Sequence, residues 1–448
     1  MLLVPLAPVM PASAEFGAVQ IAKVLAPEGA AGEQFGRSVA LSGQYLVVGA
    51  PDRIHPGDGG IGSVFVYRVI DGIPVFDAEL IPVPEVGSNQ FGTSVIIDGD
   101  RVLITSSRRL YVFHRVNDQW TEEQVLWDGI VDSIYRPGAL DGDRMVLARP
   151  IDGFAFITSD FNSFKREGDS WAYENRHIAD GADIKNEYGR DMELVGNSVL
   201  ASDPAYSTIT TGQIGAVQVY RYTGSFINPE WIKVQTIVAD DPMTFDVFGE
   251  SISLSGSKLI VGSKRTDGAE FRSGAAYVFT LKGSVWTQDQ KLVDPIGQTG
   301  DLFGISVSMS DGYAIVGSPN AFSLGLGPPA GAASLFVLSD DVWSYQSRII
   351  PSESRRGDFF GIEADTGGGY AAFGTPSDIE LGEDAGAVWF FKLCGVDINN
   401  DGTVDTADLG LFISGFGESD SRLDFNSDGV VDTADLGVLI SEFGTSCP

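Results

Sequence analysis

Cysteine, histidine and basic side chains are scarce in this sequence. Its 448 residues include two cysteines and three histidines, and 29 lysines and arginines stand against 61 aspartates and glutamates. The formal charge of −32 repels nucleic-acid phosphates and anionic lipid, so we expect no nucleic-acid partner. His55, His114 and His177 lack the paired spacing of a zinc site. Neither cysteine precedes residue 394, which leaves most of the chain without a thiol nucleophile.

Long apolar runs are equally rare. After residue 14 no stretch reaches the roughly 18 unbroken apolar residues that span a bilayer, so we expect no transmembrane segment. Residues 1–14, MLLVPLAPVMPASA, are apolar and end in Ala12-Ser13-Ala14, which suits signal-peptidase cleavage before Glu15. We interpret these residues as a signal peptide remnant, and a frayed N-terminus is the alternative. The signal peptide predicts a secreted protein or one at the cell surface.

Most of the chain is an internal repeat. A motif that opens with FG or YG and continues through two apolar runs begins at residues 35, 91, 188, 248, 303 and 360, and a degenerate copy begins at Tyr135. Each copy continues with alternating apolar positions after a small residue, as in GAVQVYR and GAAYVFT, and most copies close with an aromatic-led run such as VWTQDQKLV. Alternation with β-branched and aromatic enrichment predicts strands. We therefore predict seven units of four antiparallel strands.

Four-stranded units at this spacing are typical of a β-propeller. The seventh unit ends at Lys392 after three strands, while residues 19–27 read as an unpaired strand ahead of the first FG. We expect the N-terminal strand to complete the last blade and to remove two sheet edges. The fold class predicted is all-β, a seven-bladed propeller over residues 15–393, followed by a small α-helical domain over residues 394–448.

The sequence of the repeats, with FG followed by VGAP and then a GAVYVF-like strand, resembles the FG-GAP family. That family is known from integrin α-subunits and from a glycosylphosphatidylinositol-specific phospholipase D. The resemblance implies a propeller whose long loops carry function. In antiparallel blades, the connections from the second to the third strand and from the fourth strand to the next blade emerge on one face, which we name the long-loop face. A glycan or protein ligand is expected there, because rigid scaffolds commonly bind through such loops.

Two acidic segments near the C-terminus match a calcium-binding loop. Residues 397–408 read DINNDGTVDTAD, and residues 424–435 read DFNSDGVVDTAD. An EF-hand loop places oxygen ligands at positions 1, 3, 5, 7, 9 and 12 and a glycine at position 6. The predicted ligands are Asp397, Asn399, Asp401, the Thr403 backbone, Asp405 and Asp408 in the first loop, and Asp424, Asn426, Asp428, the Val430 backbone, Asp432 and Asp435 in the second. We therefore predict two Ca²⁺ sites.

One amphipathic helix follows each loop. Leu409, Phe412, Ile413 and Phe416 lie at helical spacing, and Leu436, Leu439, Ile440 and Phe443 repeat the stripe, so we expect the two stripes to form a small core. A duplicated loop and helix resembles the EF-hand-like dockerin module, type I, of bacterial cellulosomes. Cys394 and Cys447 flank this module, and in an oxidising compartment we expect them to form a disulfide.

The dockerin resemblance implies a cohesin-like partner, recognised through loop positions 10 and 11. These positions hold Thr406 and Ala407 in the first loop and Thr433 and Ala434 in the second. Later helix positions, often basic in dockerins, hold Ile413, Ser414 and Glu418 in the first helix. The calcium fold therefore carries over more directly than the cohesin partner, and a cell-surface protein is an equal expectation.

The leading hypothesis is a secreted or cell-surface binding or adhesion protein without catalytic activity, in which the propeller is the ligand platform and the dockerin-like module is the tether. The sequence has no GxSxG or GxxxxGK[ST] motif, and we name no catalytic residue. The alternative is an extracellular polysaccharide-active hydrolase or lyase, since dockerin-like tails accompany such enzymes. That enzyme requires acid and base side chains that converge in the central pocket, and a purely aliphatic lining would exclude it.

Overall fold

The structure, a computed structural model, describes most of the chain after the N-terminal segment. The described residues are 18–55, 61–82, 90–107, 109–126, 138–149, 160–178, 188–208, 212–223, 230–310, 312–321, 330–339, 341–393, 396–399, 403–417, 423, 425 and 430–444.

Seven four-stranded antiparallel sheets form the body, and six of them are contiguous in sequence. Blades 1 and 2 contain β2 (Ser38–Ser42), β3 (Tyr45–Ile54), β4 (Ile61–Ile70), β5 (Ile73–Leu80), β6 (Ser94–Asp98), β7 (Arg101–Thr105), β8 (Leu110–Val116) and β9 (Gln119–Leu126). Blades 3 and 4 contain β10 (Gly138–Asp141), β11 (Arg144–Arg149), β12 (Asp160–Glu167), β13 (Ser170–Ile178), β14 (Met192–Val195), β15 (Ser198–Asp203), β18 (Ala216–Tyr222) and β19 (Trp231–Ile237), with a small hairpin of β16 (Ser207–Thr208) and β17 (Gly212–Gln213).

Blades 5 and 6 contain β20 (Phe248–Ser255), β21 (Lys258–Ser263), β22 (Ala275–Lys282), β23 (Val285–Leu292), β24 (Val307–Ser310), β25 (Tyr313–Ser318), β26 (Ala332–Ser339) and β27 (Val342–Ile349). Blade 7 contains β28 (Glu363–Gly367), β29 (Tyr370–Thr375), β30 (Ala387–Lys392) and β1 (Val19–Val24). The seven-bladed propeller predicted from the repeat is confirmed.

The N-terminal strand is the outer strand of blade 7. β1 pairs antiparallel with β30, with Val19 opposite Lys392 and Val24 opposite Val388. A separate parallel bridge joins Phe35 to Gly386, so blades 7 and 1 also meet through the first FG motif. The ring is therefore closed by both an outer strand and an inner contact, and β1 covers the edge that β30 would otherwise expose.

Glycines lock neighbouring blades together, which explains why the repeat carries three of them. At the seam between blades 5 and 6, Gly274 has a φ of +100°, and an added Cβ would lie 2.0 Å from the Phe303 carbonyl oxygen. Gly304 has a φ of +91°, and its Cβ would lie 2.4 Å from the Ala275 carbonyl oxygen. A Cβ at Gly262 would lie 2.1 Å from the Gly304 carbonyl oxygen. Only glycine allows these backbones to approach so closely.

Two short helices follow the propeller. They are α1 (Thr406–Ser414) and α2 (Thr433–Ser441), and their buried side chains Phe412 and Leu439 belong to one apolar cluster that extends through Leu393 and Val396 into blades 6 and 7. Among the described residues, neither helix is long and apolar enough to cross a membrane.

Candidate functional site

A central channel of about 950 Å³ runs through the ring. The first strand of each blade lines it, so the inner edge of each four-stranded sheet faces the channel. At each of the seven seams, a side chain of one blade accepts a hydrogen bond from a backbone N–H of the next blade, at distances of 2.5 to 3.3 Å. The donor lies in the first strand at four seams and in the turn that follows that strand at Gly99, Gly142 and Gly196. The acceptor and donor pairs are Ser42 Oγ with Gly99 N, Asp98 Oδ2 with Gly142 N, Asp141 Oδ2 with Gly196 N, Asp191 Oδ2 with Ile252 N, Ser251 Oγ with Val307 N, Ser308 Oγ with Thr366 N, and Asp365 Oδ2 with Leu41 N.

Four carboxyl groups from blades 4 and 7 line this channel, and no local sequence pattern indicates them. Asp191 accepts hydrogen bonds from Ser251 Oγ at 3.1 Å and Ile252 N at 2.8 Å, and Glu193 accepts one from Leu254 N at 3.1 Å. Burial raises the pKa of Asp191, although these hydrogen bonds oppose the shift, and it also raises the pKa of Glu193, with the Asp191 charge adding to the effect.

The carboxyl groups of blade 7 behave similarly. Asp365 accepts hydrogen bonds from Leu41 N at 2.7 Å and Ser308 Oγ at 2.8 Å, and burial raises its pKa to about 6. Burial raises the pKa of Glu363 to about 7, which the Arg37 charge partly offsets. The lining is therefore not purely aliphatic, and the condition that would have excluded the enzyme hypothesis is not met.

The long-loop face exposes apolar side chains on several blades. The exposed side chains at these loops and connections are Ile54, Ile81, Met243, Phe245, Phe271, Ile296, Phe359, Ile379 and Leu381. Phe271 is 62% exposed and Phe245 is 52% exposed, which is high for aromatic side chains. An exposed apolar surface on one face of a monomer commonly marks an interaction site.

Buried ionic contacts hold these loops in place. Asp301 lies two residues before its FG pair, and its carboxylate accepts a hydrogen bond from Gln298 N at 2.8 Å. Arg348 Nε donates to Asp294 Oδ2 at 2.8 Å, which ties the same connection to the outer strand of blade 6. Asp246 and Asp358 repeat the role of Asp301 in the neighbouring copies. The loops thus present their apolar side chains from a fixed backbone.

In the C-terminal module, each helix begins at a capping box. Asp405 Oδ1 accepts from Ala407 N at 2.7 Å, while Asp408 Oδ2 accepts from Asp405 N at 2.8 Å. In the second copy, Asp432 Oδ1 accepts from Ala434 N at 2.7 Å, and Asp435 Oδ2 accepts from Asp432 N at 2.9 Å. These bonds satisfy amides that the first turn of a helix leaves unpaired.

The first acidic loop is closed on itself. The fully buried Asp408 carboxylate, at loop position 12, accepts hydrogen bonds through Oδ1 from Ile398 N at 2.7 Å and Asn399 N at 3.1 Å, which brings the two ends of the loop together. Asp397 at position 1 and Asp435 at the end of the second loop are also buried. The predicted donors are all oxygens, as a hard cation such as Ca²⁺ prefers, so these residues fit the ion.

Several predicted site residues lie outside the described residues. They are Asp401, Asp424, Asn426 and Asp428 among the ligands, and both cysteines of the expected disulfide, Cys394 and Cys447. Within the described part of the chain, no group of three or more histidine, cysteine or acidic side chains is arranged to hold a metal ion. The two calcium sites and the disulfide therefore stay predictions.

The two halves of the module contact each other symmetrically. Gly417 N donates to the Val431 carbonyl at 2.8 Å, and Gly444 N, 27 residues later, donates to the Val404 carbonyl at 2.7 Å. The pair expected at loop positions 10 and 11 is exposed in both copies: Thr406, Ala407, Thr433 and Ala434. These side chains are accessible to a partner in two equivalent positions.

Only part of the predicted apolar stripe is buried. Phe412 and Leu439 are fully buried, whereas Ile413 is 61% exposed and Ile440 is 58% exposed. The physical reason is the small size of the module, because two nine-residue helices cover only one side of each other.

Comparison with known proteins supports the propeller and its repeats. The FG-GAP repeat matches residues 18–67, 231–279 and 286–336. The chain carries FG-GAP repeats. No curated protein matches the sequence. Among solved structures, the Neurospora crassa Pan2 WD40 domain is similar at a TM-score of 0.50 and 12% identity, over 86% of this chain and 98% of that one. Likeness at this identity concerns the fold alone.

Proposed function

We propose that this is a secreted or cell-surface binding protein whose FG-GAP propeller holds a glycan or protein ligand on its long-loop face, and whose C-terminal module attaches it to a second component. The observation that carries the proposal is the set of exposed apolar side chains on that face, Phe245 and Phe271 above all. Exposed apolar surface on one face of a protein commonly marks an interaction site, which supports the proposal.

The ligand proposal is tested by binding of the full chain to immobilised extracellular polysaccharides and to proteins of the extracellular fraction. The double variant Phe245→Ala with Phe271→Ala should weaken binding at least tenfold, since exposed aromatic side chains dominate interface energies. Tyr173→Ala is the matched control, because Tyr173 is 58% exposed but lies on the outer strand of blade 3. Equal losses in both variants would contradict a specific long-loop face.

We further propose that Ca²⁺ holds the C-terminal module in its folded form. Asp397, Asn399, Asp405 and Asp408, with Asp401 and the Thr403 carbonyl, would hold one ion, and the corresponding residues 424–435 would hold the other. The capping boxes and the closed first loop support this assignment. A bound ion offsets the mutual repulsion of the carboxylates, so binding energy becomes folding energy for residues 394–448.

Calcium titration of the full chain tests the two sites. Isothermal titration should give two ions for the parent, one for either Asp401→Ala or Asp428→Ala, and none for the double variant. Asp420→Ala is the control, because it removes an acidic residue of the module outside both loops. An unchanged stoichiometry in the double variant would contradict the ligand assignment.

We propose that the tethered partner is a cohesin-like or cell-surface protein that contacts Thr406, Ala407, Thr433 and Ala434. Their exposure in both copies supports it. A pull-down from extracellular fractions with the full chain, with calcium and with a chelator, should recover the partner only with calcium. Replacing Ala407 and Ala434 by Arg should abolish recovery by adding bulk and charge, while replacing one of them should leave a usable orientation.

One observation favours a second candidate, an extracellular polysaccharide-active hydrolase or lyase. Glu363 lies in the channel with a pKa of about 7, a value suited to a general acid at neutral pH. Incubation with a panel of extracellular polysaccharides, read by new reducing ends or unsaturated products, should show turnover that Glu363→Gln removes. Absence of turnover across the panel favours the binding platform, whose channel carboxylates serve the blade seams.

A further inference from the structure

The charged groups of the channel are unevenly distributed around the ring. Among the described lining residues, β6, β10 and β24 contribute no charged side chain. The carboxyl groups that line the channel are Asp191, Glu193, Glu250, Glu363 and Asp365, and the cations are Arg37 and Arg190. Blades 4 and 7 therefore hold most of the acidic groups, separated by two blades in one direction and by three in the other.

One of the two cations that line the channel is paired with Glu250. Arg190 Nη2 lies 2.6 Å from Glu250 Oε1, and Lys264 Nζ lies 2.5 Å from the same oxygen. The negative charge of Glu250 is thus balanced by these two ion pairs. The charge on Arg37 faces Glu363, and the described residues of the channel lining include no further cation for Asp365 or Glu193. The channel holds more negative charge than its cations offset when every acid is ionised.

The acidic groups also influence each other across the channel. The charge of Asp191, on blade 4, adds to the rise in the pKa of Glu363 and of Asp365, both on blade 7. Burial is the largest cause in each case, although both side chains are partly exposed to the channel. The same strands carry the seam hydrogen bonds, and Asp365 binds Leu41 N at the seam that closes the ring.

We propose that the channel is a proton-binding device that makes the closed ring more stable at mildly acidic pH than at neutral pH. Protonation removes repulsion between blades 4 and 7 without removing the carbonyl oxygens that accept the seam hydrogen bonds. The folded ring holds these protons at a higher pH than the unfolded chain, in which carboxyl groups titrate near pH 4. The stabilisation is thus present at low pH and is lost as the pH rises toward about 7.

Thermal unfolding of the full chain, at saturating calcium and at about pH 5 and about pH 7.5, tests the proposal. Glu363→Gln keeps the size of the side chain and removes its charge. It should raise the propeller midpoint at the higher pH by about 2–4 °C and reduce the difference between the two pH values. Glu353→Gln is the control, since Glu353 is exposed on the connection between blades 6 and 7, and it should leave both midpoints unchanged.

A second variant and a second measurement keep the proposal testable if the Glu363→Gln variant fails to fold. Glu193→Gln, from the opposite blade, should shift the midpoints in the same direction, because its carbonyl oxygen can still accept from Leu254 N. Direct measurement of protons released when the parent unfolds should give a positive number near neutral pH. The proposal is overturned if the Glu363→Gln and Glu353→Gln variants have the same pH dependence, or if unfolding of the parent releases no protons.

Discussion

The propeller and the C-terminal module are stabilised in different ways. Each blade of the propeller packs apolar side chains against its neighbours, and glycines at the seams allow close backbone contact. The module has two helices of nine residues, a length at which an isolated helix is marginal in water. Each of its acidic loops also carries four aspartates within twelve residues. Packing accounts for the ring, whereas for the module we propose that a bound ion adds to the apolar contacts it shares with blades 6 and 7.

The largest effect is expected from opening the ring. Deletion of residues 1–27 removes β1, exposes the edge of β30 and uncovers the apolar cluster that contains Val24 and Ala26. The loss should approach the whole free energy of unfolding of a domain, about 5–15 kcal/mol. Deletion of residues 1–14 is the control. Equal melting of the two truncated proteins would show that the N-terminal strand does not close the ring.

A single seam glycine should have the next largest effect. Gly274→Ala places a Cβ 2.0 Å from the Phe303 carbonyl oxygen in a backbone of positive φ, so we expect a loss of about 3 kcal/mol or more. Gly283→Ala is the matched control, because its φ of +69° imposes strain but no atom lies within 4 Å of the added Cβ. It should cost about 1 kcal/mol. Chemical denaturation followed by tryptophan fluorescence measures both variants.

Within the module, two adjacent residues of α2 differ in burial, so their variants compare the loss of a buried side chain with the loss of an exposed one. Leu439→Ala removes a fully buried side chain and should lower the stability of the module by about 2–5 kcal/mol. Ile440→Ala removes a side chain that is 58% exposed and should change stability by less than about 0.5 kcal/mol. Helical circular dichroism at saturating calcium provides the measurement. Similar losses would mean that both faces of the helix are buried in solution.

Much of the fold was predictable because each copy of the repeat has the same pattern of strands. The period and the alternation indicate seven blades, and the missing fourth strand of the last blade indicates that β1 pairs with β30, as it does. The reason for the glycines was not predictable. Gly274 contacts Phe303 of the next blade, and that contact exists only after two units have folded beside each other.

The candidate sites also divide into those set by a local sequence pattern and those that depend on contacts between distant units. Asp405 and Asp408 belong to a local pattern, so the start of α1 follows from sequence alone. The channel carboxyl groups were missed, although Glu193 and Asp365 stand where other copies have serine or apolar residues. Their proximity depends on ring closure, which no local pattern encodes. Ile413 was placed in the core because periodicity locates a helix face but not the extent of its cover.

Differential scanning calorimetry of the full chain, in calcium and in a chelator, tests most directly whether the two regions rely on different forces. With calcium we predict two transitions, one for the module and one for the propeller. With the chelator the module transition should disappear, because the loops lose the ion that offsets their repulsion, while the propeller transition should move by no more than about 2 °C as the shared contacts of Leu393 and Val396 are released. Two unchanged transitions, or a single transition that shifts as a whole, would contradict the account.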